Sequence, residues 1–579
     1  MAEMRRDLRY AITRGVCALL SLLTLTSCAL FAADKTEPNG EPEPTEEAAV
    51  YTFAPIPSAV PSGDGRFTLR YNKNATFNPL LGTDADNMLV AGLLYESLFV
   101  LNADFTPRGV LCESYETEDA KTYDFTLIEG VKMSDGEDLS PYDVIYSLNT
   151  ARRNSKYSTR LRNIDTVSLV GSRVVRVTLK AADARFASLL DIPIIKDGTS
   201  GIAPRGTGPY RYEGEGETPY LARNEHHRDY VSLSPTRIYL ATCAINELGE
   251  KFTERVIDFF VDNPNGTAVT VRRDHEVRYY DTTVLQFIGF NPRAAAIDDA
   301  RFRAAVALAV DRDMIVRDIL GTRATPAPLV FPKGYRLYDK TWETAKRTDF
   351  NGEETASDTT IQENGDAATY SSPDATESAP PETPPPPART INAQISDLLT
   401  QIGLADGNSD TYLEFPVSGE LVPFVLDFIV SNENDARVAA ARSVANALRH
   451  VGLNVILREL SFEDFKIALE MGNFDIYYGE TRISANLDFS PLLASDGALN
   501  YGKMTGYTED LRTFAAARGD FAERNAARSL AMKIRDNVPF VPVAYLQYAI
   551  HTGRDEITGI VPSQSNVFWN VTEWTINPK

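Results

Sequence analysis

"TYDFTLIEGVKMSDGEDLSPYDVIYSLNTARR", Thr122 to Arg153, changes its period part-way along. Its first seven residues read as a strand. Asp135-Gly136 then makes a turn, and Ser140-Pro141 reads as the N-cap and first position of a helix carrying Val144, Ile145 and Leu148. Strand, turn and capped helix in that order point to a chain that mixes α and β elements.

The pattern extends both ways. A folded body is expected to begin near "RFTLRYNKN" at Arg66, with a helical segment around "NMLVAGLLYESLF". Downstream, "VSLVG" and "VVRVTLK" read as strands, "RGTGPYRYEG" follows from Arg205, and "TVLQFIGFNPR" from Thr283 is a further strand. "IDDARFRAAVALAVDRDMIVRDILG" predicts one long helix, capped by Asp298 or Asp299, with a stripe through Phe302, Val306, Ala309 and Ile315, ended by Gly321. Residues 343 to 389, ending "APPETPPPPAR", lack core-forming periodicity and read as a disordered surface insertion. Strand and helix then alternate through "FVLDFIV", "DARVAAARSVANALRHVG", "LNVILREL", "FEDFKIALEMG" and "FDIYYGE", as in an α/β lobe. In such sheets ligands bind beyond the carboxyl ends of strands, so the loop "GETRISANLDFSPLLASDGALNYG", Gly479 to Gly502, is the place to look for a site.

With 579 residues and 43% hydrophobic content the chain can bury several cores. The head is distinctive. Arg5, Arg6, Arg9 and Arg14 precede the apolar run "GVCALLSLLTL" and then "LTSC", ending at Cys28. That run is too short to span a bilayer of roughly 30 Å and suits a secretory leader. "LTSC" resembles the lipobox of bacterial lipoproteins, which makes Cys28 the lipidation candidate; a plain leader that happens to contain cysteine is the alternative. Residues 28 to 65, rich in Pro and Glu, read as a disordered tether. The formal charge is −22, much of it in the tether and the insertion. It argues against nucleic acid and carries no substrate inference. Of four cysteines, Cys112 and Cys243 remain beyond the leader; two buried thiols are the reading, with a disulfide open.

Motifs that would signal catalysis fail on inspection. "GALNYGK", Gly497 to Lys503, has P-loop spacing, but Met504 stands where a magnesium-holding hydroxyl belongs. "GTG", Gly206 to Gly208, lacks the third glycine of a dinucleotide loop and runs into Pro209. His226 and His227 would point to opposite faces of a strand, and His275, His450 and His551 are isolated. No cofactor, metal or enzymatic activity is expected.

The ordered set of elements is similar to family 5 solute-binding proteins, the oligopeptide- and dipeptide-binding receptors of ABC importers. Leu93 to Leu148, "GTGPYRY", the "FIGFNPRAAAIDDARFRAAVALAVDRDMIVRDILG" element, "ALRHVGLNVIL" and "IRDNVPFVPVAY" carry the resemblance over roughly Arg66 to Trp574, apart from the insertion. Cys112, Met133 and "NEHHRDY" depart from the family's pattern. The resemblance implies an α/β, two-lobed type II periplasmic-binding-protein fold with an extra small domain and a hinge. The N-terminal lobe would span 66–285 with the small domain at about 96–200. The C-terminal lobe would span 286–540, and 541–579 would return to the first lobe.

By the same resemblance, Asp488 would pair with a peptide's amino group; Arg482 has no universal counterpart in the family but is placed for a bidentate grip on a carboxylate. Asn486, Asn500 and Tyr501 would supply neutral hydrogen bonds, and Asn78 and Leu80 in "NATFNPLLGT" would border the cleft. Each has a structural alternative: Asp488 as a cap of "SPLLA", Arg482 paired with Glu480, Asn500 as a turn residue, Asn78 and Leu80 as packing. The implied function is capture of a peptide and delivery to ABC transporter membrane subunits at the extracellular face of the bacterial membrane, by a lipid-anchored monomer. A metal chelate, an opine or an oligosaccharide are the alternative cargoes, and a receptor that presents a peptide pheromone to a membrane partner without import is the alternative role.

Overall fold

Two strands are longer than any others: His275–Phe290 has 16 residues and Phe540–Gly553 has 14, and they pair antiparallel along most of their length. The computed structural model describes residues 49–52, 66–214, 218–262, 269–293, 295–345, 390–417 and 420–577. The long pair forms the middle of an eleven-stranded mixed sheet. On one side follow Phe259–Asp262, Phe67–Arg70, Arg237–Ala241, Tyr220–Arg223 and Tyr210–Glu213; on the other Ile476–Arg482, Val425–Ser431 and Asn454–Leu460. His275–Asp281 is half exposed, whereas Thr282–Phe290 is buried throughout, so one strand serves two environments.

The period-2 rule places the cores. In the buried half, Val284, Ile288 and Phe290 face one apolar cluster while Leu285 and Phe287 face another. Leu426, Phe428 and Val430 join the first, Ile429 the second. Helix Asp435–His450 covers the first face through Val438, Ala441, Val444 and Leu448, and helix Gly519–Asn537 covers the other through Ala527, Leu530 and Ile534. This is the C-terminal lobe. A third cluster builds the N-terminal lobe, in which Trp574, from the chain's return, packs against Phe67, Phe259 and Phe568.

The small domain is an antiparallel five-stranded sheet ordered Ala49–Thr52, Cys112–Thr117, Thr122–Leu127, Val174–Leu179, Ile164–Val170. Helix Pro141–Arg153 buries Val144, Leu148 and Ala151. Its start is set by Asp143, whose carboxylate accepts from the Ser140 N–H (2.8 Å) and hydroxyl (2.9 Å). At "GTG" the reason for glycine is close approach: a Cβ at Gly208 would collide with the Leu94 carbonyl.

Several expectations need correction. The tether carries a strand, Ala49–Thr52, which extends the small domain's sheet by pairing with Ser114–Thr117. The long helix of residues 297–321 is broken: Ala300–Ala309 ends at Val310, and Asp311 caps a new turn by accepting from Met314 N–H at 2.9 Å. A second capping residue inside an apolar stripe restarts the helix on a new axis. Thr341–Thr344, at the edge of the expected insertion, is a helical turn with Trp342 buried. Cys112 and Cys243 are both free thiols, and Cys243 is half-buried. The leader, Cys28, the rest of the tether and residues 346–389 lie outside the described residues. Among the described residues no helix is long and apolar enough to cross a membrane.

Candidate functional site

Strand Ile476–Arg482 ends at a cavity of about 690 Å³. One wall comes from the small domain, residues 156–191, and the other from residues 481–491 and 511–515, with Thr283 and Gln564 at the seam. A second cavity of about 710 Å³ lies beside Glu96, Arg228 and Trp569. Its charges are consumed by each other: Arg228 donates twice to Glu96, at 3.0 and 2.5 Å. Of these two, the first lies where the small domain meets the C-terminal lobe.

Arg482 pairs in register with Val284, which fixes its backbone at the end of the sheet. Its guanidinium donates to Gln564 Oε1 at 3.4 Å and Tyr548 Oη at 3.2 Å and sits 5.6 Å from the centre of the Tyr548 ring. Among the described residues no carboxylate lies within 4.0 Å of it. Glu480 has other partners, Arg437 at 3.4 Å and Gln286 Nε2 at 3.1 Å, so the ion pair considered for Arg482 does not form.

Asp488 and Asn486 also line the cavity, but both are engaged across it. Asp488 accepts from Ser490 N–H (2.8 Å), in an Asx turn that leads into Ser490–Leu493 without being its N-cap, and from Arg162 Nη2 at 3.1 Å. Asn486 is buried and donates its amide to Asp183 Oδ2 at 2.7 Å. Arg185 completes the closure. It donates to the carbonyls of Asn486 (2.9 Å) and Phe514 (3.0 Å) and stacks 3.7 Å over the Phe514 ring, while Ala184 N–H donates to the Ala515 carbonyl at 2.7 Å. The small domain is thereby latched to the C-terminal lobe.

The other expected residues serve structure. Asn500 is buried and bonds the Ala494 and Met504 carbonyls and the Met504 N–H, all within 2.9 Å, so it folds its own loop. Tyr501 packs edge-on against Tyr477, outside the cavity. Asn78 accepts from Leu80 N–H at 3.1 Å, and Leu80 is fully buried in the core. That segment still touches the site from behind: the Pro79 and Gly82 carbonyls accept from Lys156 Nζ at 2.9 and 3.0 Å.

Lys156, Arg160, Asp183, Arg185 and Gln564 were not singled out in the sequence. Asp183 and Arg185 meet Asn486 some 300 positions further on, and no local pattern marks any of the five. Burial governs their electrostatics. It lowers Lys156 to about 8, and it lowers Arg160 to about 10 with Tyr157 opposing and Arg482 adding to the shift. It raises Asp183 above the usual carboxylate range, against the pull of Arg185 and Asn486. His227, half of the paired-histidine motif, accepts from the Asp229 N–H at 3.1 Å and lies 3.5 Å from Glu96, beside that residue's pair with Arg228 in the second cavity.

A sequence model of the family described as bacterial extracellular solute-binding proteins, family 5 Middle, matches residues 106–498. The glutathione-binding protein GsiB of Escherichia coli (strain K12) is 25% identical over 280 residues, 44% of this chain and 54% of that protein. GsiB of Salmonella typhi matches to the same extent, so the chain spans about half the length of these curated relatives. Among solved structures, NikZ from Campylobacter jejuni in complex with Ni(L-His) is similar with a TM-score of 0.60 at 19% identity, over 90% of this chain and 100% of that one. The oligopeptide-binding protein AppA from Bacillus subtilis, in complex with a nonapeptide, gives 0.58 at 18% identity, over 89% and 99%. These likenesses carry the fold: two lobes of mixed α/β structure.

Proposed function

The chain belongs to the bacterial extracellular solute-binding proteins of family 5, and from that membership we propose that it captures a small peptide and delivers it to the membrane subunits of an ABC importer. The observation that carries this reading is the cavity between the small domain and the C-terminal lobe, bounded by a latch of side chains that can form only when the walls are together. A ligand that touches both walls favours that closed arrangement and shifts the population toward it. The names of two relatives, one glutathione-binding and one solved with a nonapeptide, support a peptide as cargo. No catalytic step is proposed.

Within this reading Arg482 grips the ligand, while Asp488 and Asn486 act on closure through Arg162 and Asp183. The leader and "LTSC" support export and attachment through lipid on Cys28, which would hold a monomeric receptor at the outer face of the membrane. Native mass spectrometry of the purified chain, followed by identification of what co-purifies, tests the assignment. Peptides are expected; recovery of only sugars or metal chelates would overturn it.

A further inference from the structure

The cavity's charge runs against that of the chain. The sequence carries a formal −22. Among the described residues, however, the walls present Lys156, Arg160, Arg162, Lys180 and Arg185 on one side and Arg482 and Arg512 on the other, against Asp183, Asp191 and Asp488; Arg185 and Arg512 also pair with Glu523 and Glu509 beyond the lining, which leaves the excess with Lys156, Lys180 and Arg482. A local excess of cations within a net-acidic protein requires an explanation, since like charges brought together repel.

All three carboxylates are committed. Asp191 is paired with Arg160, Asp488 with Arg162, and Asp183 accepts from Asn486 Nδ2 and from Arg185 N–H (3.1 Å). An ammonium entering the cavity meets only carboxylates that already face a cation or a hydrogen-bond donor of the protein. The cations are not all committed. Among the described residues Arg482, Lys156 and Lys180 have no carboxylate within 4.0 Å. Arg482 holds only two neutral acceptors, at 3.4 and 3.2 Å, out of a fork of five N–H groups. Lys156 is held in place by the Pro79 and Gly82 carbonyls and by Met88 Sδ at 3.1 Å, so its charge is fixed at the wall but not neutralised. Lys180 donates to the Arg162 carbonyl at 2.8 Å and is exposed at the rim. Low-dielectric walls lined by one sign of charge focus the field on what enters.

We propose that this cleft selects acidic peptides of net negative charge, with a carboxylate against the Arg482 guanidinium and no carboxylate of the protein holding the peptide's amino group. The inference rests on the peptide-binding reading above and narrows it. It departs from the expectation that Asp488 pairs with a free ammonium, because Arg162 already occupies that carboxylate. N-acylated or otherwise amine-blocked peptides are therefore accepted.

The test is a competition. The purified full-length chain is incubated with an equimolar mixture of tripeptides of net charge +2 to −2, each with a free or an acetylated N-terminus, and the retained species are identified by mass spectrometry. Peptides of net charge −1 and −2 are expected to be enriched at least tenfold over neutral ones, with acetylation changing retention less than threefold. Arg482→Gln should abolish the enrichment without lowering the melting temperature, and raising the salt concentration should weaken it. Enrichment of neutral or basic peptides, or loss of retention on acetylation, overturns the proposal and leaves the peptide reading standing. If no tripeptide is retained, the peptide reading falls; thermal shifts with citrate and with a sugar phosphate then decide the charge preference, which stands if either stabilises the chain and falls if neither does.

Discussion

Arg185 grips main-chain oxygens, and that choice of acceptor has consequences. Its two bonds go to the carbonyls of Asn486 and Phe514, so no side-chain substitution at either position deletes them; only a change at 185 does. Arg185→Ala should therefore open the free protein more than Asn486→Ala, which loses one side-chain bond across the closure, to Asp183, and one within its own loop, from Ser484. For the latter a loss of about 1 kcal/mol, roughly fivefold in the ratio of closed to open, is expected from small-angle scattering of the unliganded chain. Equal effects of the two variants would refute the ranking. Glu96 supports a second prediction. Burial works to raise its carboxyl, and Arg228 with His227 overcomes that and holds it at about 2, below its ordinary 4.5. A depressed acid stabilises the fold above its unfolded value and loses that contribution as pH falls toward its folded one. Glu96→Gln should thus cost about 3 kcal/mol at neutral pH by denaturant melts, and the gap to the parent should shrink between pH 4.5 and 2. Residue roles were the least legible part of the sequence. Asn500 and Asn486 look alike in a loop of small polar residues, yet one folds its own turn and the other crosses to Asp183, 303 positions away.

At the scale of elements the sequence was far more legible, because the periods of 2 and 3.6 are local properties. The alternation in "FVLDFIV" places Leu426, Phe428 and Val430 on one face, as found. What it concealed was a break. The stripe from Phe302 to Ile315 keeps helical spacing straight through Val310, and only Asp311, which caps a new turn, reveals that the helix restarts there. The strand at Ala49–Thr52 was hidden for the opposite reason: its acid- and proline-rich surroundings hide four residues that need only a partner edge. The return of the chain makes an element-scale prediction. Trp574 is buried against Phe67, Phe259 and Phe568, so Trp574→Ala should lower stability by about 3 to 5 kcal/mol in denaturant melts. An unchanged midpoint would mean that the tail contributes nothing to the N-terminal core.

For the whole molecule, ligand and fold are linked by mass action. A peptide at one hundred times its Kd should add about 2.7 kcal/mol to the unfolding free energy, and calorimetry should show the melting temperature climbing with concentration. Excising residues 348–387 should leave that climb intact, since the flanking residues Trp342 and Ile395 are each buried in the folded body; its loss would assign the excised segment to the site. The two long strands set a further condition on the molecule. A loop between lobes can gain or lose a residue at little cost, but a shared strand is a common reading frame. One residue inserted into His275–Asp281 or Ala544–Gly553 would turn alternate side chains of one lobe outward while the other stayed correct. Two bulges are the exceptions. Between Asp281 and Leu285 the first strand advances four residues against two on its partner, Gln547 to Tyr545, and between Gln286 and Phe287 it advances one against two, Ala544 to Pro542, so the register already shifts at both places. Changes of length between the lobes therefore cost least where the register already shifts, and even at residues 282–284 an insertion must spare the Thr283 bond to the Ile483 carbonyl and the pairing of Val284 with Arg482.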